Sequence, residues 1–112
     1  MPEVEHDLHR CDAAVTLAFS VLGKRWNGMI VSSLGGGPST FVSLRRAVAG
    51  ISDTVLSDRL AELADVGLVA RTVDAGPPVT VSYALTPGGE GLVPILDDLG
   101  TWASATLERP SR

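Results

Sequence analysis

The 112-residue chain contains a single cysteine, Cys11, so no internal disulfide can form, and the expectation is a reducing, cytoplasmic setting. No apolar run approaches the ~20 residues that a bilayer crossing requires, so no membrane partner is expected. The opening MPEVEHDLHR is charged and carries no signal-peptide apolar stretch. There is no internal repeat and no low-complexity tract. A positive balance is also missing: the formal net charge is −4, which at first argues against nucleic acid. Distribution outweighs the sum, however. Between Ala13 and Ser52 the chain holds Lys24, Arg25, Arg45 and Arg46 and no acid, leaving one basic segment that could meet phosphates.

Catalytic constellations are absent as well. GGGPS (35–39) lacks the lysine of a phosphate loop and no strand precedes it, and there is no nucleophile elbow, HExxH pair or acidic dyad. An enzyme is therefore not expected, and no cofactor is implied. HDLHRC (6–11) brings His6, His9 and Cys11 together, but the spacing matches no strong zinc pattern, so no metal site is expected and residues 1–10 read as a flexible arm. Cys11 is a candidate redox sensor if it is exposed, and otherwise an inert structural thiol.

What is present fits one globular domain over residues 1–112, with 45% hydrophobic and 20% charged residues. A domain this small buries a limited core, a shortage that a homodimer would relieve. Residues 12–22 (DAAVTLAFSVL) predict a nearly all-apolar helix with Asp12 at its start. Ala14, Val15, Leu17, Ala18, Val21 and Leu22 cover most of its circumference, so burial on several sides is expected, part of it by a second subunit. KRWNGMIVSSL (24–34) predicts a second helix, with Trp26 a core anchor beside Ile30 and Leu34 or Met29. GGGP stops it.

A third helix begins at Ser39 or Thr40, either able to cap it, and runs to about Val48, with Phe41, Leu44 and Val48 inward and Arg45 and Arg46 outward. Ala49, Gly50 and Ile51 form a short turn and Ser52 caps the next helix, which is the helix-turn-helix layout, spanning 39–66. On that fourth helix Leu56, Leu60 and Leu63 fall within about 60° of one another and face the core. Thr54, Ser57, Asp58 and Ala61 lie opposite, and Gly67 ends the helix in a left-handed cap. LVARTVD (68–74) and VTVSYAL (79–85), joined by AGPP, predict an antiparallel hairpin within 68–86. Thr86 then caps a last helix over 87–108, with Pro87 in its first turn and a broad stripe of Leu92, Ile95, Leu96, Leu99, Trp102 and Ala103.

The fold class is thus mainly α with a small β-hairpin, a winged helix-turn-helix domain with extra N- and C-terminal helices. Such a fold sets its second helix-turn-helix helix in the DNA major groove and its hairpin on the backbone or minor groove. The sparse face of the fourth helix suits that role, because short hydroxylic side chains can reach base edges in a groove about 12 Å wide. Long cations belong on the flanking phosphates. Thr54, Ser57 and Asp58 are the candidate base contacts, with Asp58 accepting from a cytosine amine, and Ser39, Thr40 and Ser52 are candidate contacts at the helix starts. Arg45, Arg46 and the wing residues Pro78 and Thr80 would position the duplex. Arg59 is on the flank, in reach of a phosphate or of a structural ion pair. The alternative function is a winged-helix protein–protein interaction module whose acidic surface binds protein, since one fold serves many uses.

The chain resembles the HxlR-type branch of bacterial winged helix-turn-helix regulators from Cys11 to Ala103. The resemblance rests on GKRW at 23–26, the IS…LS.RL..L...GLV spacing and the PP…V.Y.LT hairpin leading into the final helix. It implies a homodimeric regulator of transcription that binds double-stranded DNA, in some members responding to oxidants, quinones or aldehydes; the effector here is not identified. It also implies that the first and last helices form the dimer interface, through Val15, Leu22, Leu92, Leu96, Leu99 and Trp102. Two departures stand out. Val79 and Thr80 follow the Pro-Pro where the family often has a basic residue, so DNA affinity is expected to lean on Lys24, Arg25, Arg45 and Arg46. Cys11-Asp12 replaces the common Cys-Pro.

Overall fold

Polar side chains start four of the helices. The Asp12 carboxylate accepts from the Ala14 amide at 2.7 Å, the Thr40 hydroxyl from Ser43 at 3.1 Å, that of Ser52 from Val55 at 3.2 Å and that of Thr86 from Gly89 at 3.1 Å. Each cap satisfies an otherwise orphaned amide and is worth about 1 kcal/mol. The computed structural model describes residues 10–107. His6, His9, most of the expected arm and the end of the expected last helix at residue 108 lie outside the described residues. In chain order the elements are α1 (Ala13–Leu22), α2 (Asn27–Leu34), α3 (Phe41–Ala47), α4 (Asp53–Asp65), β1 (Val69–Asp74), β2 (Thr80–Leu85) and α5 (Pro87–Thr106). This is a winged helix-turn-helix with a helix added at each end.

The core lies among α2, α3 and α4, where Ile30, Val31, Leu34, Leu44, Val48, Leu56, Leu60 and Leu63 are buried, closed by Ile51 from the turn and Val69 from β1. The leucine face read from α4 is the face the structure buries, each side chain contributing roughly 1.5–3 kcal/mol. Trp26 and Phe41 are half-buried against this core rather than inside it, and Met29 is exposed.

One expectation needs correction, and a second is met only in part by the single chain. α2 begins at Asn27, three residues later than the periodicity suggests. The intervening residues turn the chain, and the fully buried Asn27 donates from Nδ2 to the Val21 carbonyl at 2.8 Å, satisfying the end of α1 instead of extending a helix backwards. α1, expected to be buried on several sides, has no buried residue. Its Leu17 is 70% exposed, with Val15 and Phe19 also exposed, and only Val21 packs against the core. Apolar periodicity shows that a face seeks cover, but not which chain supplies it.

Gly67 fixes the root of the wing. Its φ of +84° sets a left-handed end to α4, with Gly67 N donating to the Ala64 carbonyl at 3.1 Å and Leu68 N to Leu63 at 2.9 Å. The Thr86 hydroxyl donates to the Gly67 carbonyl at 2.6 Å, locking the start of α5 onto the same corner. β1 and β2 pair antiparallel from Val69↔Leu85 to Asp74↔Thr80. Ser39 adds a short bridge, exchanging backbone bonds with Tyr83 at 2.9 and 2.8 Å.

Candidate nucleic-acid interface

The fourth helix turns one face inward and leaves the other bare. Leu56, Leu60 and Leu63 are buried, while Thr54, Ser57, Asp58 and Ala61 are all exposed along the opposite side. Ser52 occupies the cap position and its carbonyl accepts from Leu56 N at 2.9 Å, so its hydroxyl is committed to the helix start. Thr40 does the same for α3, and Ser39, half-buried, has its backbone committed to Tyr83. The exposed patch is therefore narrow, hydroxylic and rigidly capped.

The cations around it are not equivalent. Arg45 does not simply point outward: its guanidinium lies 2.9 Å from the Asp53 carboxylate, in the first turn of α4, with the two side chains 41% and 63% exposed. Arg46 is exposed and makes no ion pair among the described residues. Arg59 pairs with Glu62 at 3.0 Å and leaves its buried Nε without a partner. Lys24 shares that carboxylate at 3.4 Å, tying the turn before α2 to α4. Arg25 lies over the Trp26 ring at 4.3 Å. Of the four cations in the segment read as basic, Arg46 alone has neither an acidic partner nor an aromatic ring beside it among the described residues.

The wing brings Pro78 and Thr80 to its exposed tip. Sequence reasoning passed over Arg71, an exposed cation on β1 opposite Tyr83. The signal was available, since period-two alternation sets it on the same face as Val69 and Val73. It also missed the pairing of Glu62 with Lys24, a contact between distant elements that no local pattern encodes.

At the other end, Cys11 is exposed just ahead of α1, its Sγ 3.4 Å from the Thr16 hydroxyl and 3.6 Å from the Asp12 carbonyl. Among the described residues no cluster of His, Cys, Asp and Glu has metal-site geometry, and no helix is long and apolar enough to cross a membrane. Of the residues assigned to a subunit contact, Val15, Leu99 and Trp102 are exposed. Leu92 and Leu96 are half-buried, with part of their surface turned to the chain's own core, and Leu22 is half-buried beside them.

Comparison with known proteins gives the same outline. The family model for HxlR-like helix-turn-helix proteins matches residues 21–111. The HTH-type transcriptional regulator YodB of Bacillus subtilis (strain 168) is 40% identical over 91 residues, which is 81% of each chain. Its solved reduced form superposes with a TM-score of 0.79 at 35% identity, covering 91% of this chain and all of that one. The redox regulator HypR in its reduced form gives 0.78 at 30% identity, covering 83% and 92% respectively.

Proposed function

The chain belongs to the HxlR-like helix-turn-helix family of DNA-binding transcriptional regulators, and on that premise we propose how it engages its operator: as a cytoplasmic homodimer whose two α4 helices read successive half-sites. The observation that carries the reading is the contrast on α4, a buried leucine stripe backed by an exposed strip of Thr54, Ser57 and Asp58. Those three contact base edges. Arg46 contacts phosphate, Arg45 joins it from its place beside Asp53, and Thr40, the Ser52 helix start and the wing residues Pro78 and Thr80 guide the backbone. Arg59 supports the helix from within through Glu62. Catalysis has no part in this reading.

Support for the dimer comes from the exposed apolar faces of the end helices. An apolar groove of about 500 Å³ runs between α1 and α5, lined by Leu17, Val21, Leu68, Leu92 and Ile95. Exposed apolar surface of this extent marks an interaction site in a folded protein. Half-sites about one helical turn apart then follow from two-fold symmetry.

The redox names of the relatives and the exposure of Cys11 support a second feature, control of operator binding by oxidation of that thiol. Gel-shift titration against DNA selected from genomic fragments, at two salt concentrations, tests the main reading. Phosphate contacts by each subunit give a steep salt dependence, and a flat one overturns it.

A further inference from the structure

The turn between α1 and α2, residues 23–26, reaches the helix-turn-helix at two points. The turn itself is tightly bonded: Gly23 N donates to the Phe19 carbonyl at 2.8 Å, Asn27 N to Lys24 at 3.2 Å, and the buried Asn27 Nδ2 to Val21 at 2.8 Å. At the first point the Trp26 ring is in van der Waals reach of Gly50, where an added Cβ would lie 3.8 Å from the ring edge. Gly50 belongs to the turn that leads into α4. At the second point Lys24 Nζ lies 3.4 Å from each carboxylate oxygen of Glu62 on α4. Arg59, three residues earlier on the same helix, holds Oε1 at 3.0 Å. Among the described residues Glu62 is the one acid with two cationic partners. Its side chain is only 24% exposed, so water screens these pairs less than the Arg45–Asp53 pair. From Asp53 to Glu62 the helix advances about 14 Å, so the turn grips α4 near both ends.

We propose that Glu62 is a positioning residue for DNA recognition: through Lys24 it fixes the bearing of α4 on α1, and through α1 the bearing of one α4 on the other in the dimer. The inference rests on the reading of α4 as the helix that enters the groove and of α1 as part of the subunit contact. Glu62 follows Asp58 by four residues, so it continues the side of α4 that carries the bare strip. An acid there repels phosphate, and its effect on affinity is unfavourable unless it does something else. What it does is geometric. Half-sites one helical turn apart set each α4 about 17 Å from the two-fold axis, and a tilt of about 10° moves the helix there by about 3 Å, close to one base-pair step. The leucine stripe holds α4 to the core, but α1 sets only Val21 against that core. The Lys24–Glu62 joint, braced by Arg59, removes the remaining freedom, so that both helices seat together.

The test uses the full chain and a duplex recovered by selection with it, the same duplex with its half-sites one base pair closer or farther apart, and one carrying a single half-site. Anisotropy titration should show that the wild type prefers the selected spacing. Glu62→Gln and Lys24→Gln should each bind that spacing about fivefold more weakly, at unchanged salt slope, and discriminate less among spacings. The double variant should be no weaker than either single one, and Lys24→Arg should restore the wild-type profile. Affinity for the single half-site and the midpoint of urea unfolding should stay as in the wild type. Tighter binding by Glu62→Gln, the result of removing a negative charge and nothing more, overturns the proposal. So does a Lys24→Gln salt slope lower by about 0.9 per subunit, which would make Lys24 a phosphate contact. Losses that are equal on the single half-site, or that follow a lowered unfolding midpoint, assign the pair to stability alone and overturn it too. A wild type indifferent to both spacing and salt overturns the reading of α4 itself, and the joint with it.

Discussion

The guanidinium of Arg45, in the last turn of α3, lies 2.9 Å from the carboxylate of Asp53, in the first turn of α4, bridging the two helices of the helix-turn-helix across their turn. Both side chains are substantially exposed, so water screens the pair and its worth to stability is about 1 kcal/mol at most. Its effect on binding is larger in principle, because Asp53 sets a negative charge where α4 meets the duplex and holds back a cation that could reach it. Asp53→Asn should therefore tighten operator binding about three- to tenfold, while urea unfolding shifts by less than about 1 kcal/mol. Weaker binding would mean that the pair's role is to orient α4, which outweighs the released charge.

Arg46 and Thr54 should fail in different ways. Arg46→Ala removes an exposed cation, so binding to every sequence should weaken and the salt slope should fall by about 0.9 per subunit. Thr54→Ala removes a hydroxyl and a methyl from the bare face of α4. It should cost about 1–3 kcal/mol against the best operator and much less against a mismatched one. Anisotropy titrations on matched and mutated duplexes separate the two. If neither variant differs from the wild type, the bare face is not the reading surface.

Gly89 is the point where α5 meets the corner between α4 and β1. It is buried, and a Cβ there would overlap the Leu68 carbonyl oxygen and approach the Leu85 side chain at 3.1 Å. Backbone cannot yield as a flexible side chain can, so Gly89→Ala should destabilise by about 1–3 kcal/mol despite alanine's better helix propensity. Chemical denaturation measures it. A variant as stable as the wild type would show that α5 can shift away from the corner at little cost.

Legibility in the sequence followed the range of the interactions. The capping residues Thr40, Ser52 and Thr86, the leucine face of α4, the left-handed Gly67 and the two wing strands were all readable, because each is fixed by neighbours a few residues away. The start of α2 was not, since the buried Asn27 answers to the end of α1, six residues back and round a turn. How much of α1 its own chain covers was not legible either, because hydrophobicity carries no label for the chain that will cover it. For the site, the bare strip was legible as a pattern and an ion pair as one of two roles for Arg59, but the pairing of Arg45 and Lys24 was not. Arg45, Arg59 and Lys24 each have an acidic partner, and the Lys24 partner, Glu62, lies 38 residues away.

Cys11 offers a test of control by oxidation. It is exposed and sits just ahead of α1, whose apolar face is open in the single chain. A thiol-oxidising diazene takes two electrons and two protons from a pair of Cys11 thiols and leaves a disulfide between subunits. Non-reducing electrophoresis should then show a covalent dimer, and operator affinity should change by tenfold or more on oxidation. Cys11→Ser should show neither effect. An oxidant response that survives in Cys11→Ser would remove the thiol from the mechanism, since the chain has no other cysteine.

The last prediction concerns assembly. Leu99 and Trp102 are each about half exposed on α5, separated by three residues and so on one side of the helix, and Ile95 continues the stripe at 61% exposure. Isolated, such a stripe leaves several large apolar side chains in water; covered by a second copy, each would contribute about 1–3 kcal/mol. Leu99→Glu would bury a charge in that contact with little effect on the chain's own core, because Leu99 is half exposed and is not among the side chains packed against that core. Sedimentation equilibrium should give a dimer for the wild type and a monomer for Leu99→Glu at micromolar concentration, with circular dichroism unchanged. Operator affinity should fall by about a hundredfold or more as the two half-sites lose their linkage. A Leu99→Glu protein that still sediments as a dimer and binds with undiminished affinity would place the subunit contact elsewhere and leave the α5 stripe without a partner.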